Sequence, residues 1–215
     1  MHLWLYILAA VCSYLLSGVN PAILLSNGIY HKDIRTCGSG NPGFTNFKRT
    51  FGNKLAWLVM VLDLSKGIVL AALFGWLFDL FLGQWQLGAA YSGLFAMLGH
   101  AYPIWYNFKG GKGFLVAMSV IWFIDWRAGL VAVFILVILL LTTKYMSLST
   151  MLAMLSCPVT LIIVGTNAPT IILCTISVLF MVYRHKENIK RLFKGTESKF
   201  SFKGSDKKQT AQDSE

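Results

Sequence analysis

The chain has 215 residues, 56% of them hydrophobic and 13% charged, with a formal net charge of +10. A water-soluble domain carries about 25% charged residues, and the apolar runs that recur from Leu3 to the Tyr183 region lack the polar faces a soluble helical domain needs. That class is excluded, and the four cysteines (Cys12, Cys37, Cys157, Cys174), with no Cys-x-x-Cys spacing, read as small core residues rather than a disulfide or metal set.

In chain order, seven apolar segments are expected to be transmembrane helices: 3–29, 55–82, 87–105, 114–124, 128–143, 148–165 and 170–183. No Lys or Arg precedes the first, as a cleavable leader would require, so residues 1–30 are read as a retained span. The fourth is short against the roughly 20 residues of a spanning helix, and Asp125-Trp126-Arg127 parts it from the fifth. One long buried hairpin, or a count of five helices, is the competing reading.

With the N-terminus outside, the inside regions are 31–54, 107–113, 144–147 and the tail from Arg184. They hold all 19 basic residues except Lys66 and Arg127, as the positive-inside rule requires. The expectation is an all-α integral membrane fold of seven spans with a cytoplasmic C-terminus. Residues 1–195 form a single transmembrane domain in this reading. Residues 196–215, rich in Lys, Ser and Gln, form a flexible basic tail drawn to the anionic inner leaflet.

The first inside loop reads Gly38-Ser39-Gly40-Asn41-Pro42-Gly43-Phe44-Thr45. This is the spacing of a nucleotide phosphate loop, with Phe44 where Gly-x4-Gly-Lys-Ser/Thr has its lysine. Backbone N–H groups and a helix N-terminus can still hold a phosphate there. Without the lysine the loop is ill equipped for a transferring γ-phosphate, so neither a nucleotide nor a nucleic acid is expected as partner. If Thr45 opens a helix, Asn46 and Arg49 share a face, and Arg49 offers a forked guanidinium to the anion. The bland alternative is a flexible turn with lipid-facing charges.

The second inside loop reads Gly99-His100-Ala101-Tyr102-Pro103, then Phe108-Lys109-Gly110-Gly111-Lys112-Gly113. Its glycines let the backbone approach an anion while Lys109 and Lys112 neutralise it; alone, it is an inside-loop anchor. The third brings Arg184-His185-Lys186-Glu187-Asn188, Arg191 and Gly195-Thr196-Glu197. His185, Asn188 and Arg191 recur every three residues and fall on one helical face. A histidine of ordinary pKa, about 6.5, can take a proton from a hydroxyl; the rival reading is a solvated basic juxtamembrane helix. Asp63 and Lys66, three apart in the second segment, are expected to pair, as intramembrane charges must. Ser147 and Thr150 sit at the inner end of the sixth segment.

Three phosphate-compatible loops on one leaflet point to a site for a phosphorylated small molecule beside a lipid phase. No paired acidic metal site, Cys/His cluster or Ser-His-Asp pattern accompanies them in the sequence. Transfer without metal or cofactor is therefore expected, with anions stabilised by N–H groups, Arg and Lys.

These segments together resemble the three motifs of the bacterial membrane-integral acyl-phosphate:glycerol-3-phosphate acyltransferases. The first is 38–46 with Arg49. The second is Gly99-His100-x-x-Pro103 with 108–113, and the third is His185-x-x-Asn188-x-x-Arg191 with Gly195-x-Glu197. Asp33-Ile34-Arg35 and Asp63-x-x-Lys66-Gly67 match the flanking pattern, so the likeness runs from about Tyr14 to Glu197. It implies a seven-helix fold in the bacterial cytoplasmic membrane, with the site on the cytoplasmic face. It also implies transfer of a fatty acyl group from acyl-phosphate to the 1-hydroxyl of glycerol-3-phosphate, giving lysophosphatidic acid and phosphate.

By motif position, residues 39–45 would cradle phosphate, while Arg49 and Lys112 neutralise the two anionic substrates. His185 and Asn188 would orient glycerol-3-phosphate, with Ser147 assisting. The resemblance also implies catalytic roles for Ser39, Arg49, Lys112, His185 and Asn188. Binding roles fall to Gly38, Gly40, Asn41, Gly43, Thr45, Asn46, Lys109, Gly110, Gly111, Ser147 and Glu197. Whether His185 or a substrate phosphate oxygen takes the hydroxyl proton is left open. The chain departs from the family pattern at Phe44, which replaces a small residue, at Phe114-Leu115-Val116, and at Ser17-Gly18-Val19-Asn20-Pro21. Two other readings compete. A transporter of an organic phosphate would be expected to show inverted repeats, which are not visible in the sequence. A lipid-binding scaffold leaves the glycine motifs unexplained.

Overall fold

The computed structural model describes residues 2–201, so the greater part of the expected tail, 202–215, lies outside the described residues. Among them every regular element is helical. The first apolar segment is two helices, α1 (Leu3–Gly18) and α2 (Pro21–Tyr30). Pro21 cannot donate an i→i−4 bond and forces the break. Asn20 turns it to use: its Oδ1 caps α2 by accepting the Ile23 N–H at 3.1 Å, and its Nδ2 donates to the Pro42 carbonyl at 3.1 Å. The interrupted span is thereby fastened to the glycine loop.

A short amphipathic helix, α3 (Phe44–Phe51), leads into α4 (Asn53–Leu82). Next come α5 (Trp85–Ala101) and α6 (Phe114–Ile124). The Asp125 carboxylate accepts the Arg127 N–H at 2.9 Å and pairs with its guanidinium at 2.7 Å, capping α7 (Trp126–Thr143) where the sequence parts the two segments. Then follow α8 (Met146–Ile163), α9 (Ala168–Arg184) and α10 (Lys186–Phe193), the last two bent by 57° at His185.

The helices gather around α5, which packs against α1, α4, α6 and α9. In lipid there is little hydrophobic drive between helices, and small residues that allow close backbone approach replace it. Gly99 shows the requirement: a Cβ there would stand 2.1 Å from the Tyr14 carbonyl oxygen of α1. The outer surface is apolar. On α7, Leu130, Phe134, Val137 and Leu141 are 46–66% exposed, a stripe that water would not tolerate and lipid does.

Among the described residues four segments are long and apolar enough to cross a bilayer: α1 with α2, α4, α7 and α8. Counting α9 with α10 as one bent segment makes five. The shortfall from the seven expected lies in α5, with 17 residues, and α6, with 11.

Replacing Asn20 by alanine removes both the α2 cap and the tie to Pro42. The expected cost is about 1–2 kcal/mol, or a melting temperature roughly 4 °C lower in detergent, read from tryptophan fluorescence. Asn20→Asp, which keeps the cap acceptor, should recover part of it. An unchanged melt for Asn20→Ala would show that the break is held by Pro21 alone.

Candidate active site

The three motif-bearing loops meet on one cavity of about 590 Å³. Ser39, Gly43 and Thr45 line it from the first loop, Arg49 from α3, Lys112 from the second loop and Ser147 from α8. His185, Asn188, Arg191 and Glu197 complete the polar wall, and Gly38, Asn41 and Asn46 reach it from behind Ser39.

Four helices start on this wall. α3 springs from Gly43, α6 from Gly113, α8 from Tyr145 and α10 from His185, and among the described residues none has a side-chain cap. Their first-turn residues Thr45, Leu115, Ser147 and Asn188 face the cavity. An uncapped helix start leaves backbone N–H groups unpaired and carries about half a positive charge. Four such starts beside Arg49, Lys112 and Arg191 make a site for anions.

The first loop is shaped from within by Asn46, which is 2% exposed. Its Oδ1 accepts the Ser39 N–H at 2.9 Å and its Nδ2 donates to the Cys37 carbonyl at 2.9 Å. Gly38, at φ +55°, passes so close that a Cβ would lie 2.3 Å from that Oδ1. Gly40 donates its N–H to Cys37 at 2.9 Å and Gly43 donates to Asn41 at 3.0 Å. Of the N–H groups expected to cradle a phosphate, those of Ser39, Gly40 and Gly43 are thus committed to the loop itself. What faces the cavity is the Ser39 side and the start of α3. Asp33 and Arg35 anchor the loop's base: the pair is 2.7 Å apart, and Arg35 Nη1 donates to the Tyr106 carbonyl at 2.9 Å. The guanidinium holds the Asp33 carboxyl below its usual pKa.

Of residues 108–113 in the second loop, Lys112 and Gly113 face the cavity; among the described residues its wall omits Gly40, Lys109, Gly110 and Gly111. Lys109 is exposed outside it. The Gly110 and Gly111 N–H groups donate to Ala101 (3.1 Å) and His100 (3.0 Å), and both carbonyls accept from Arg184 Nη2, at 3.2 and 3.1 Å. These glycines therefore hold Lys112 in place instead of touching an anion. Beneath them Lys66 Nζ lies 2.9 Å from both Asp63 Oδ1 and His100 Nδ1 and donates to the Ser17 carbonyl at 2.9 Å. The expected Asp63–Lys66 pair is present, and Asp63 and His100 also reach the cavity, which pairing alone did not foretell.

The third loop is organised by Glu197. Its Oε1 accepts the Ser147 hydroxyl at 2.7 Å and Asn188 Nδ2 at 2.6 Å, and its Oε2 accepts Arg191 Nε at 2.7 Å. Burial pushes the Glu197 pKa up, and these bonds outweigh it to leave the group an anion. Glu197 thus orients Ser147, Asn188 and Arg191. A carboxylate so occupied is no phosphate ligand. Asn188 Oδ1 in turn accepts from Lys112.

Burial, with repulsion from Arg191, Arg184 and Arg49, draws Lys112 down to about 8, although Glu197 opposes the shift. His185 stands at the bend beyond the α9 span; burial first, then the Lys112 charge, takes it to about 4. Its Nδ1 lies 2.9 Å from the Met181 carbonyl. A carbonyl only accepts, so Nδ1 carries the proton and Nε2 is left as an acceptor.

The apolar part of the cavity's lining includes Met60, Phe114, Leu115, Leu136, Leu140 and Phe200. The motifs carry no signal for most of these, since periodic apolar residues look alike whether they face a neighbour, lipid or a ligand. Phe200 belongs to the expected tail, yet residues 196–201 cross the site: the Phe200 N–H donates to the Lys144 carbonyl at 2.7 Å.

Comparison with known proteins is consistent along the chain. The family model described as glycerol-3-phosphate acyltransferase matches residues 7–195. A glycerol-3-phosphate acyltransferase of Rhizobium etli is 38% identical over 202 residues, 91% of this chain and 92% of its own length. That of Brucella suis biovar 1 is 35% identical over 199 residues, covering 91% and 94%. Among solved structures, PlsY (YgiH), an integral membrane glycerol 3-phosphate acyltransferase, superposes in its glycerol 3-phosphate form with a TM-score of 0.82 at 29% identity, covering 91% of this chain and 96% of that one. Its lysophosphatidic acid form gives 0.79 at 28%, covering 91% and 95%. Matched over nearly its whole length, the chain belongs to the glycerol-3-phosphate acyltransferase family.

Proposed function

We propose that the chain transfers a fatty acyl group from acyl-phosphate to the 1-hydroxyl of sn-glycerol-3-phosphate, giving lysophosphatidic acid and inorganic phosphate. This is the first acylation of phospholipid synthesis. The observation that carries the reading is the cavity itself, which joins an anion site built of helix starts and cations to an apolar lining. The names of the relatives support the acceptor. The two ligand forms of PlsY support the acceptor and product.

The hydroxyl oxygen attacks the acyl carbonyl carbon, the bond from that carbon to the phosphate oxygen breaks, and phosphate leaves with the electron pair. The hydroxyl proton passes to a phosphate oxygen, so no protein group ends the step altered. Arg49, Lys112 and the start of α3 hold the anions, and Ser39 contributes its hydroxyl because its N–H is committed to Asn46. His185 Nε2 and Asn188 orient the acceptor. With His185 held near 4, the ring is a poor base at neutral pH, and its role is to position.

In the membrane we take seven crossings, with the N-terminus outside and the C-terminus and site on the cytoplasmic side of a bacterial inner membrane. The charge distribution supports this. An 11-residue α6 rises about 16 Å, roughly half the 30 Å hydrocarbon core. Its missing turns set Gly113 and the cavity below the inner surface, where an acyl tail can stay among helices. The catalytic domain occupies residues 1–195, with residues 196–201 adding to the site.

Purified protein given palmitoyl-phosphate and labelled glycerol-3-phosphate should release phosphate and lysophosphatidic acid in equal amounts, and palmitoyl thioesters of coenzyme A or acyl carrier protein should not replace the donor. Neither product appearing would overturn the reading. His185→Gln, which keeps an acceptor at this place, should retain kcat within about tenfold of the parent. Loss of about a thousandfold or more with substrate binding intact would make His185 the base.

Lys112 is charged below its pKa of about 8 and neutral above it. Anion capture is therefore intact on the acid side, and kcat/KM for glycerol-3-phosphate should fall as pH rises past that value. Lys112→Arg, which stays protonated, should move this alkaline limb up by more than one unit. An unmoved limb would assign it to another group.

A further inference from the structure

The apolar part of the cavity is bordered by a segment from beyond the family-matched residues 7–195. Ser198 and Phe200 line it, facing Phe44 across the mouth, with ring centroids 6.5 Å apart. Phe44 leans in turn on the half-exposed Trp57 of α4, at 5.3 Å. On the far side the Phe200 N–H is held by the Lys144 carbonyl in the turn between α7 and α8. The strap therefore bridges α3 and α4 on one side to α7 and α8 on the other, at the inner ends of the helices.

Lys48 clamps it. This side chain is 6% exposed, donates to the Ser201 carbonyl at 2.9 Å, and stands 4.5 Å over the Phe200 ring. Burial lowers the Lys48 pKa. Holding an ammonium there is unfavourable unless a carbonyl dipole and a ring face meet the charge, which gives the strap a fixed seat.

We infer that Phe200, seated by Lys48 against Phe44, is a specificity-determining residue that covers the donor's acyl chain where it leaves the cavity and sets the preference for long chains. The inference rests on the acyl-phosphate reading above. Physically, the strap comes from the aqueous side, following α10, so its ring separates water from whatever apolar group fills the part lined by Leu115, Leu136 and Leu140. A short chain ends before the mouth and gains nothing from the cover. A long chain passes under it, and exposing two of its methylenes to water weakens binding about tenfold.

The test uses the full chain in detergent and non-hydrolysable acyl-phosphonates, whose C–P bond cannot be displaced, so binding is read apart from turnover. Decanoyl- and palmitoyl-phosphonate affinities are measured by thermal shift for the parent, Phe200→Ala and Lys48→Met, alongside donor kcat/KM for the matching acyl-phosphates. In Phe200→Ala the palmitoyl-over-decanoyl preference should shrink about tenfold, with the KM for glycerol-3-phosphate unchanged. Lys48→Met, which keeps the apolar stem and releases the strap, should shift the preference the same way by a smaller factor. The inference is overturned if the ratio is unchanged in folded Phe200→Ala, if both chain lengths and the acceptor KM worsen alike, or if the parent binds neither phosphonate. A parent that binds the phosphonates with the expected ratio yet transfers nothing refutes the proposed reaction and leaves this inference standing.

Discussion

Glu197 accepts hydrogen bonds from Ser147, Asn188 and Arg191, and so ties the start of α8 to the face of α10 that carries the buried Asn188. An asparagine amide can present either end. With Nδ2 drawn to this carboxylate, the Asn188 oxygen is left to receive Lys112, so one acidic group sets the aim of two others. It also answers an electrostatic problem. Arg191, Arg184 and Arg49 all press on Lys112 in a partly buried space, and like charges about 4 Å apart would repel by roughly 4 kcal/mol at an effective dielectric of 20. Without a fixed anion among them, Lys112 would be driven further toward its neutral form. A carboxylate in an anion site costs some attraction for substrate and in return keeps the lysine charged until the substrate arrives.

The backbone contributes the remainder of the positive field. Helix starts cannot titrate, occupy no side-chain volume and do not move, so they stabilise an anion with little reorganisation. The loops before α3 and α6 and the bend at His185 before α10 belong to the three sequence motifs, while α8 opens just after Lys144 and Tyr145. The start of the 11-residue α6 lies on the cavity wall and supplies part of this field.

The helices were legible because lipid exposure writes long apolar runs, and the site was legible because glycines, cations and a spaced His-Asn-Arg stripe cluster in three connecting segments. Where the sequence misleads is in the partners of backbone groups. Gly40, Gly110 and Gly111 look like phosphate-binding N–H donors, yet each N–H is satisfied within its own loop by a carbonyl that no local pattern announces. Asn46 reads as a ligand beside Arg49 and acts as the loop's internal brace. Glu197 reads as a contact for substrate and is the hub that turns other groups toward it. Residues 198–201 were assigned to a tail by polarity alone, since pairing with Lys48 and Lys144 joins positions more than 50 apart in the chain.

The protonation pattern bears on what kind of chemistry the cavity suits. His185 gives its one N–H to Met181 and is held neutral by burial and by Lys112. Lys112 gives a hydrogen bond to Asn188, and Glu197 accepts from three donors. A mechanism that cycled a proton through any of these would break a bond that positions a neighbour. In the reaction proposed, the proton released by the hydroxyl is the one the departing phosphate needs, and the two are made at adjacent atoms. The protein then has only to hold a hydroxyl, a carbonyl carbon and a phosphate in line, which asks for rigid dipoles and charges and for no acid–base residue of matched pKa. A network of fixed hydrogen bonds serves that purpose: with its Nδ1–H given to Met181, His185 keeps Nε2 as a hydrogen-bond acceptor and is held neutral rather than poised as a base.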